Sequence, residues 1–138
     1  MNLKYPDKLY VEAEDHALYN EIRSKNDSEI LIPFRSLKEI FIFSGMIGWT
    51  LGQKKELSSR KELIYHHYLD EKFDKPLILA AYYDSCGKDI VEIDPVKAVN
   101  MFEEYANLGF KILFNEIIKK SYNKTYEIAD YLINNKYL

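Results

Sequence analysis

One cysteine in 138 residues, Cys86, leaves no partner for an internal disulfide, and no apolar leader follows Met1. Both features lead us to expect a reducing, cytoplasmic setting. Long apolar runs are also missing. The longest, Ile40 to Leu51, is interrupted by Ser44 and Thr50 and falls short of the roughly 18 residues that suggest a membrane span. No membrane partner is expected. The chain has no G-x-x-x-x-G-K-[ST] phosphate loop, so nucleotide hydrolysis by this chain alone is not expected. A surplus of positive charge is absent too: 19 Lys and Arg stand against 22 Asp and Glu, for a formal charge of −3 and a pI near 5.6. Any contact with DNA has to be local.

What is present is apolar surface: 47% hydrophobic and 14% aromatic residues, enough to build the core of one folded domain over 1–138. The pattern predicts a mainly α, compact bundle of about five helices with at most a minor β element. Residues Met1 to Val11, with Pro6, read as an extended or irregular lead-in. Ala13, Ala17, Leu18 and Ile22 recur at helical spacing from about Glu12 to Lys25. Glu29 to Phe34 is β-branched and limited by Pro33, so it reads as a connector or brief edge strand.

Ser36 followed by Glu39 forms a capping box, which starts the second helix at Leu37 with a local gain of about 1 kcal/mol. Gly45, Gly48 and Gly52 fall at steps of three and four, on one face where another backbone can come close. Each glycine costs roughly 1 kcal/mol of helix propensity, so a packing reason is implied. Phe41, Ile42, Met46 and Trp49 are assigned to the opposite surface. Leu63 to Leu69 mixes strand and helix signals and reads as irregular. Pro76 opens a helix at about Leu77 that Gly87 ends. Asp94–Pro95 is a cap followed by proline at the first helical position, and the helix it starts runs to about Lys120. Asn100, Glu103, Asn107, Lys111 and Asn115 make its polar strip. Thr125 to about Lys136 reads as a last helix. No internal repeat or linker interrupts the chain.

Candidate chemistry is sparse. His66–His67, with Asp70 and Glu71 nearby, invites a metal reading, but adjacent histidines point to different faces and the usual zinc spacings are absent. Cys86 has only Lys88 close in sequence and reads as packing. The carboxylates Asp70, Glu71, Asp74, Asp84, Asp89, Glu92 and Asp94 prompt a check for a two-metal nuclease, yet Asp70–Glu71–Lys72 lacks a clear strand around it. The basic concentration is Arg35, Lys38, Lys54, Lys55, Arg60 and Lys61, at the two ends of the glycine helix. Lys54 and Lys55 suit the negative end of the helix dipole; the same cations fit a phosphate backbone or an acidic partner.

Two segments carry a resemblance. The first is Phe34-x-x-Leu37-Lys38-Glu39-Ile40-Phe41-Ile42-Phe43-Ser44-Gly45-Met46-Ile47-Gly48, followed by Gly52-Gln53-Lys54-Lys55-Glu56-Leu57. The second is Phe102-Glu103-Glu104-Tyr105-Ala106-Asn107-Leu108-Gly109-Phe110-Lys111-Ile112-Leu113. The chain resembles the small accessory proteins associated with bacterial DNA phosphorothioation, or Dnd, systems. It departs from their pattern in having Glu39 in place of aspartate, Ser44–Gly45 in place of two alanines, Lys54–Lys55 in place of an arginine-centred turn, and Leu108 at a glycine position.

The resemblance implies a non-enzymatic accessory subunit of an anti-phage DNA modification or restriction system, working without a cofactor beside larger ATPase or nuclease subunits. It supplies no catalytic residues to carry over. With Trp49 and the glycine face internal, Tyr105, Tyr122, Tyr126 or Tyr131 are left as partner anchors. A second reading is a small DNA-binding or DNA-sensing module using the six basic residues. A third is a metal-dependent nuclease around Asp70 to Asp74.

Overall fold

The computed structural model describes residues 4–25, 34–87 and 94–118. The chain is mainly helical with one small sheet. Strand β1 (Lys8–Glu12) leads directly into α1 (Ala13–Lys25); α2 (Leu37–Leu51), β2 (Arg60–Tyr65), a short 3₁₀ turn (His66–Tyr68), α3 (Asp74–Cys86) and α4 (Pro95–Ile112) follow. Four α-helices stand among the described residues, against the five expected. The segments expected as an edge strand before Phe34 and as a last helix from Thr125 lie outside them.

The lead-in and the irregular segment turn out to be one two-stranded antiparallel sheet. Lys8 pairs with Tyr65, Leu9 with Ile64 and Glu12 with Arg60, with a bulge between Leu9 and Tyr10. Leu9 and Val11 alternate into the core, the period of a half-buried strand. This pairing joins residues 48 to 57 apart in the chain, which no local pattern encodes. The Ala13 N–H then donates to the Ser59 carbonyl at 2.7 Å, fastening the start of α1 to the residue before β2.

Helix ends follow local chemistry. Ser36 accepts from the Glu39 N–H at 3.2 Å while a Glu39 carboxylate oxygen accepts from the Arg35 N–H at 3.1 Å. Asp94 accepts from the N–H groups of Val96 and Lys97, and Gly87 ends α3 at φ 62°. Helix α3 opens at Asp74, before Pro76, because proline in the first turn removes no helical hydrogen bond. Beyond Ile112, α4 widens into π-helical turns over Leu113–Ile118.

The core is organised by α2 against α4, the most extensive contact between elements. A Cβ at Gly48 would sit 2.2 Å from the Tyr105 carbonyl oxygen, and one at Gly109 would sit 1.7 Å from the Ser44 carbonyl oxygen. The two backbones touch where side chains are missing. Gly45 lies under the Phe102 ring, which a Cβ would meet at 2.1 Å. Phe41 belongs to this same face, not the opposite one, because it stands one turn before Gly45; its ring lies 5.6 Å from that of Phe102. Gly52 is not a packing residue: it caps α2 at φ 65° with open space around its α-carbon. Beside the contact, Tyr19 stacks on Phe110 at 4.1 Å. The Tyr19 and Ser44 hydroxyls are buried without a completed hydrogen bond.

Gly48→Ala and Gly109→Ala should each destabilise the fold by about 3 kcal/mol or more, because rigid backbone must move. Gly52→Ala should cost only about 1 kcal/mol, the price of a left-handed residue with a Cβ. Thermal and urea unfolding of the three variants check the ranking. Replacing both unsatisfied hydroxyls, as Tyr19→Phe with Ser44→Ala, is expected to leave stability unchanged or raise it by about 1 kcal/mol.

Candidate functional site

The acidic candidates are largely engaged in local structure. An Asp70 carboxylate oxygen accepts from the Lys72 and Phe73 N–H groups at 2.6 and 2.9 Å, a side-chain-closed turn. Asp74 is buried, accepts from the Asp70 N–H at 2.7 Å and pairs with Lys38 at 3.0 Å. Glu71 pairs with Lys75, and Asp84 accepts from the Trp49 indole N–H at 2.8 Å. Trp49 is half-buried. Asp89 and Glu92 lie outside the described residues. The His66 N–H donates to the Asp7 carbonyl at 2.9 Å, and its ring meets that of His67 edge-on at 6.4 Å. Among the described residues no group of three or more His, Cys, Asp and Glu is placed to hold a metal ion. Cys86, half-buried, is the last residue of α3.

The polar strip of α4 proves to be partly interior. Glu103, 1% exposed, accepts from the Tyr10 N–H at 2.7 Å and pairs with Arg60 at 3.1 Å. Asn107 is buried and donates to the carbonyls of Lys55 and Glu56 at 3.0 and 3.2 Å. Lys111 donates to Asn107 at 2.7 Å and to Asp15 at 2.9 Å. Glu12 completes this seam by accepting from the Ser58 N–H, the Ser58 hydroxyl and the Ser59 N–H. Burial pushes the Glu103 carboxyl above its ordinary 4.5, against the pull of Tyr10 and Arg60. It pushes Asp15 up as well, against Lys111. The Ser58 hydroxyl, helped by the two backbone donors, holds Glu12 below its ordinary value.

The six basic residues do not form one patch. Arg35 and Lys38 stand at one end of α2 and Lys54 and Lys55 beyond the other, and a 15-residue helix is roughly 22 Å long. Arg60 is spent on Glu103 and on the Tyr10 ring, 4.7 Å away. The Lys54 ammonium lies 5.9 Å from the Tyr105 ring centroid, and the Lys55 N–H donates to the Glu104 carbonyl. Lys61 is exposed on β2. Tyr105, expected as a partner anchor, is buried with its hydroxyl against that of Ser85. Tyr122, Tyr126 and Tyr131 lie outside the described residues.

Arg35 and Lys38 instead share a cleft of roughly 510 Å³ with Lys8 of β1 and Arg23 of α1, walled by Glu62 to Tyr65 of β2 and by Tyr68. Lys8 pairs with Glu62 at 2.8 Å, and Arg23 donates to Asn20 at 3.1 Å. Tyr65 and Tyr68 are 51% and 59% exposed. The ring of His67 neighbours both, 5.6 Å from Tyr65 and 4.6 Å from Tyr68. Sequence reasoning missed Lys8, Arg23 and both tyrosines, since only the β1–β2 pairing gathers them.

Comparison with protein families matches the chain over residues 9–137 to the family described as DNA sulphur modification system-associated protein 4. The chain belongs to this family. The match takes in both segments that carry the Dnd resemblance, and so spans the α2–α4 contact, the seam and most of the cleft. Neither the curated proteins nor the solved structures yielded a match. Among the described residues no helix is long and apolar enough to cross a membrane.

The seam gives this family member a pH signature. Glu103 binds its proton more tightly folded than unfolded, so its contribution to stability falls as pH rises from about 4.5 through its raised folded value. Glu12 acts oppositely: its contribution is present above the unfolded value and is lost as pH falls through the lowered folded one. Glu103→Gln should therefore flatten the decline of stability just above pH 4.5, and Glu12→Gln should flatten the loss on acidification below it. Urea midpoints measured across pH 3 to 7 check both slopes.

Proposed function

We propose that the chain is an accessory subunit of a DNA sulphur-modification system, docking on larger ATPase or nuclease components and itself making and breaking no bonds. The observation that carries this reading is the outer face of α3. Pro76, Ala80 and Tyr83 are exposed on it and, at 100° per residue, fall within about 60° of arc; Phe73, the residue that caps its start, is exposed too. Phe73 is 74% and Tyr83 61% exposed. Leaving a phenylalanine in water forgoes about 2 kcal/mol of burial, and aromatic side chains of this kind dominate protein interfaces.

Two further points support it. The family is described by its association with a modification system, which supplies other components as partners. Shifted carboxyls often mark active sites, but Glu103 and Asp15 are paired with Arg60 and Lys111, and neither lines the cleft. Their environment is that of structural ion pairs.

A tagged chain expressed with the products of its neighbouring genes is expected to retain at least one of them. Phe73→Glu with Tyr83→Glu should weaken that association tenfold or more while shifting stability by no more than about 0.5 kcal/mol, as exposed sites do. Failure of the unaltered chain to retain any component would remove the reading. So would nucleotide turnover or DNA cleavage by the pure chain.

A further inference from the structure

We propose that the cleft between β2 and the start of α2 holds a single-stranded nucleic acid, with phosphates on Lys8, Arg23, Arg35 and Lys38 and bases against Tyr65 and Tyr68. The proposal shares no residue with the outer face of α3 and stands independently of partner docking.

Charge comes first. The whole chain carries −3, yet among the described residues the cleft is lined by four cations and a single carboxylate, Glu62. Cations from β1, α1 and α2 have been gathered from three parts of the chain. Glu62 holds Lys8 at 2.8 Å and the buried Asp74 holds Lys38 at 3.0 Å. An ammonium so held has three donors, of which a single carboxylate contact uses only part. These pairs fix where the lysines stand and leave donors for phosphate oxygens. Arg23 and Arg35 add guanidinium forks, whose geometry suits phosphate.

The rings choose among anionic ligands. Tyr65 and Tyr68 are each more than half exposed; His67 lies parallel to Tyr65 and the Lys8 ammonium stands 5.6 Å from the Tyr65 centroid, so a base reaches a face of Tyr65 by displacing one of them. An acidic peptide would engage the cations and leave these rings unused. Unpaired bases need both elements, since sequence-tolerant strand binding combines a positive groove with aromatic platforms. In a duplex the bases are already stacked on one another and offer those rings no face. The volume, roughly 510 Å³, lies within the 300–1,000 Å³ range of ligand sites and suits a short stretch of strand.

Fluorescence anisotropy with a labelled oligothymidylate of twelve residues tests the proposal on the full chain. Binding is expected to be tighter for the single strand than for a duplex of equal length. Between 50 and 200 mM salt it should weaken on the order of 20- to 50-fold for three to four phosphates. Arg23→Glu with Arg35→Glu should reduce affinity at least tenfold, and Tyr65→Leu with Tyr68→Leu about fivefold or more, both with circular dichroism unchanged. Lys54→Glu with Lys55→Glu, outside the cleft, should leave affinity unaltered. No binding, equal binding to duplex, insensitivity to both cleft variants, or equal affinity for polyglutamate at the same salt would each overturn the assignment.

Discussion

Everything in this molecule is referenced to the place where α2 and α4 meet without side chains between them. Gly48 admits the Tyr105 carbonyl and Gly109 admits the Ser44 carbonyl, so two helical backbones meet with no side chain between them at these points. The glycines cost helix propensity. That cost is offset by burial: Phe41, Phe102 and Phe110 close around the contact with no accessible surface beyond 1%. Closeness also sets direction. With one face of α4 against α2, its Glu103–Asn107–Lys111 strip must meet β1, the start of α1 and the loop before β2.

The seam follows from that placement. Three polar side chains at intervals of four on a helix ordinarily face water, and here two of them are buried because the neighbouring segments present donors and acceptors. The loop from Gln53 to Ser59 has no helix or strand of its own, so its position is set by bonds to other segments. Asn107 serves the carbonyls of Lys55 and Glu56, and Glu12 serves the N–H groups of Ser58 and Ser59. An ion pair between the buried Glu103 carboxylate and the exposed Arg60 guanidinium adds little net stability, but Glu103 fixes β2 in register beside β1 by also accepting from the Tyr10 N–H.

Much of this was legible in the chain, where the determinants were local. The Ser36–Glu39 box, the Asp94–Pro95 start, the Gly87 stop and the closeness implied by Gly45 and Gly48 each depend on residues within one helix. The sheet was hidden because Lys8 and Tyr65 are brought together only by the fold. Gly52 was misplaced because a glycine at helical spacing and a glycine at a helix end look alike until the chain turns. Gly109, the counterpart of Gly48, lies in the second of the two Dnd-like segments. Its role needed the partner backbone to be seen.

The basic residues show how a fold reallocates charge that a sequence presents as equivalent. Arg60 and Lys111 face buried carboxylates, and removing either would leave a carboxyl inside that is already pushed toward its protonated form by burial. They are committed to structure. Lys38 also meets a buried acid, Asp74, yet its ammonium lines the cleft edge, so one residue both anchors α3 to α2 and contributes to the positive wall. Lys8 likewise holds β1 to β2 through Glu62 while facing the same space. Pairs across element boundaries thus do two things at once: they fix the walls, and they hold cations in place before any ligand arrives. Pre-placed charge avoids part of the ordering cost that exposed lysines pay on binding. An acidic protein can in this way carry one localised site for a polyanion without a basic surface.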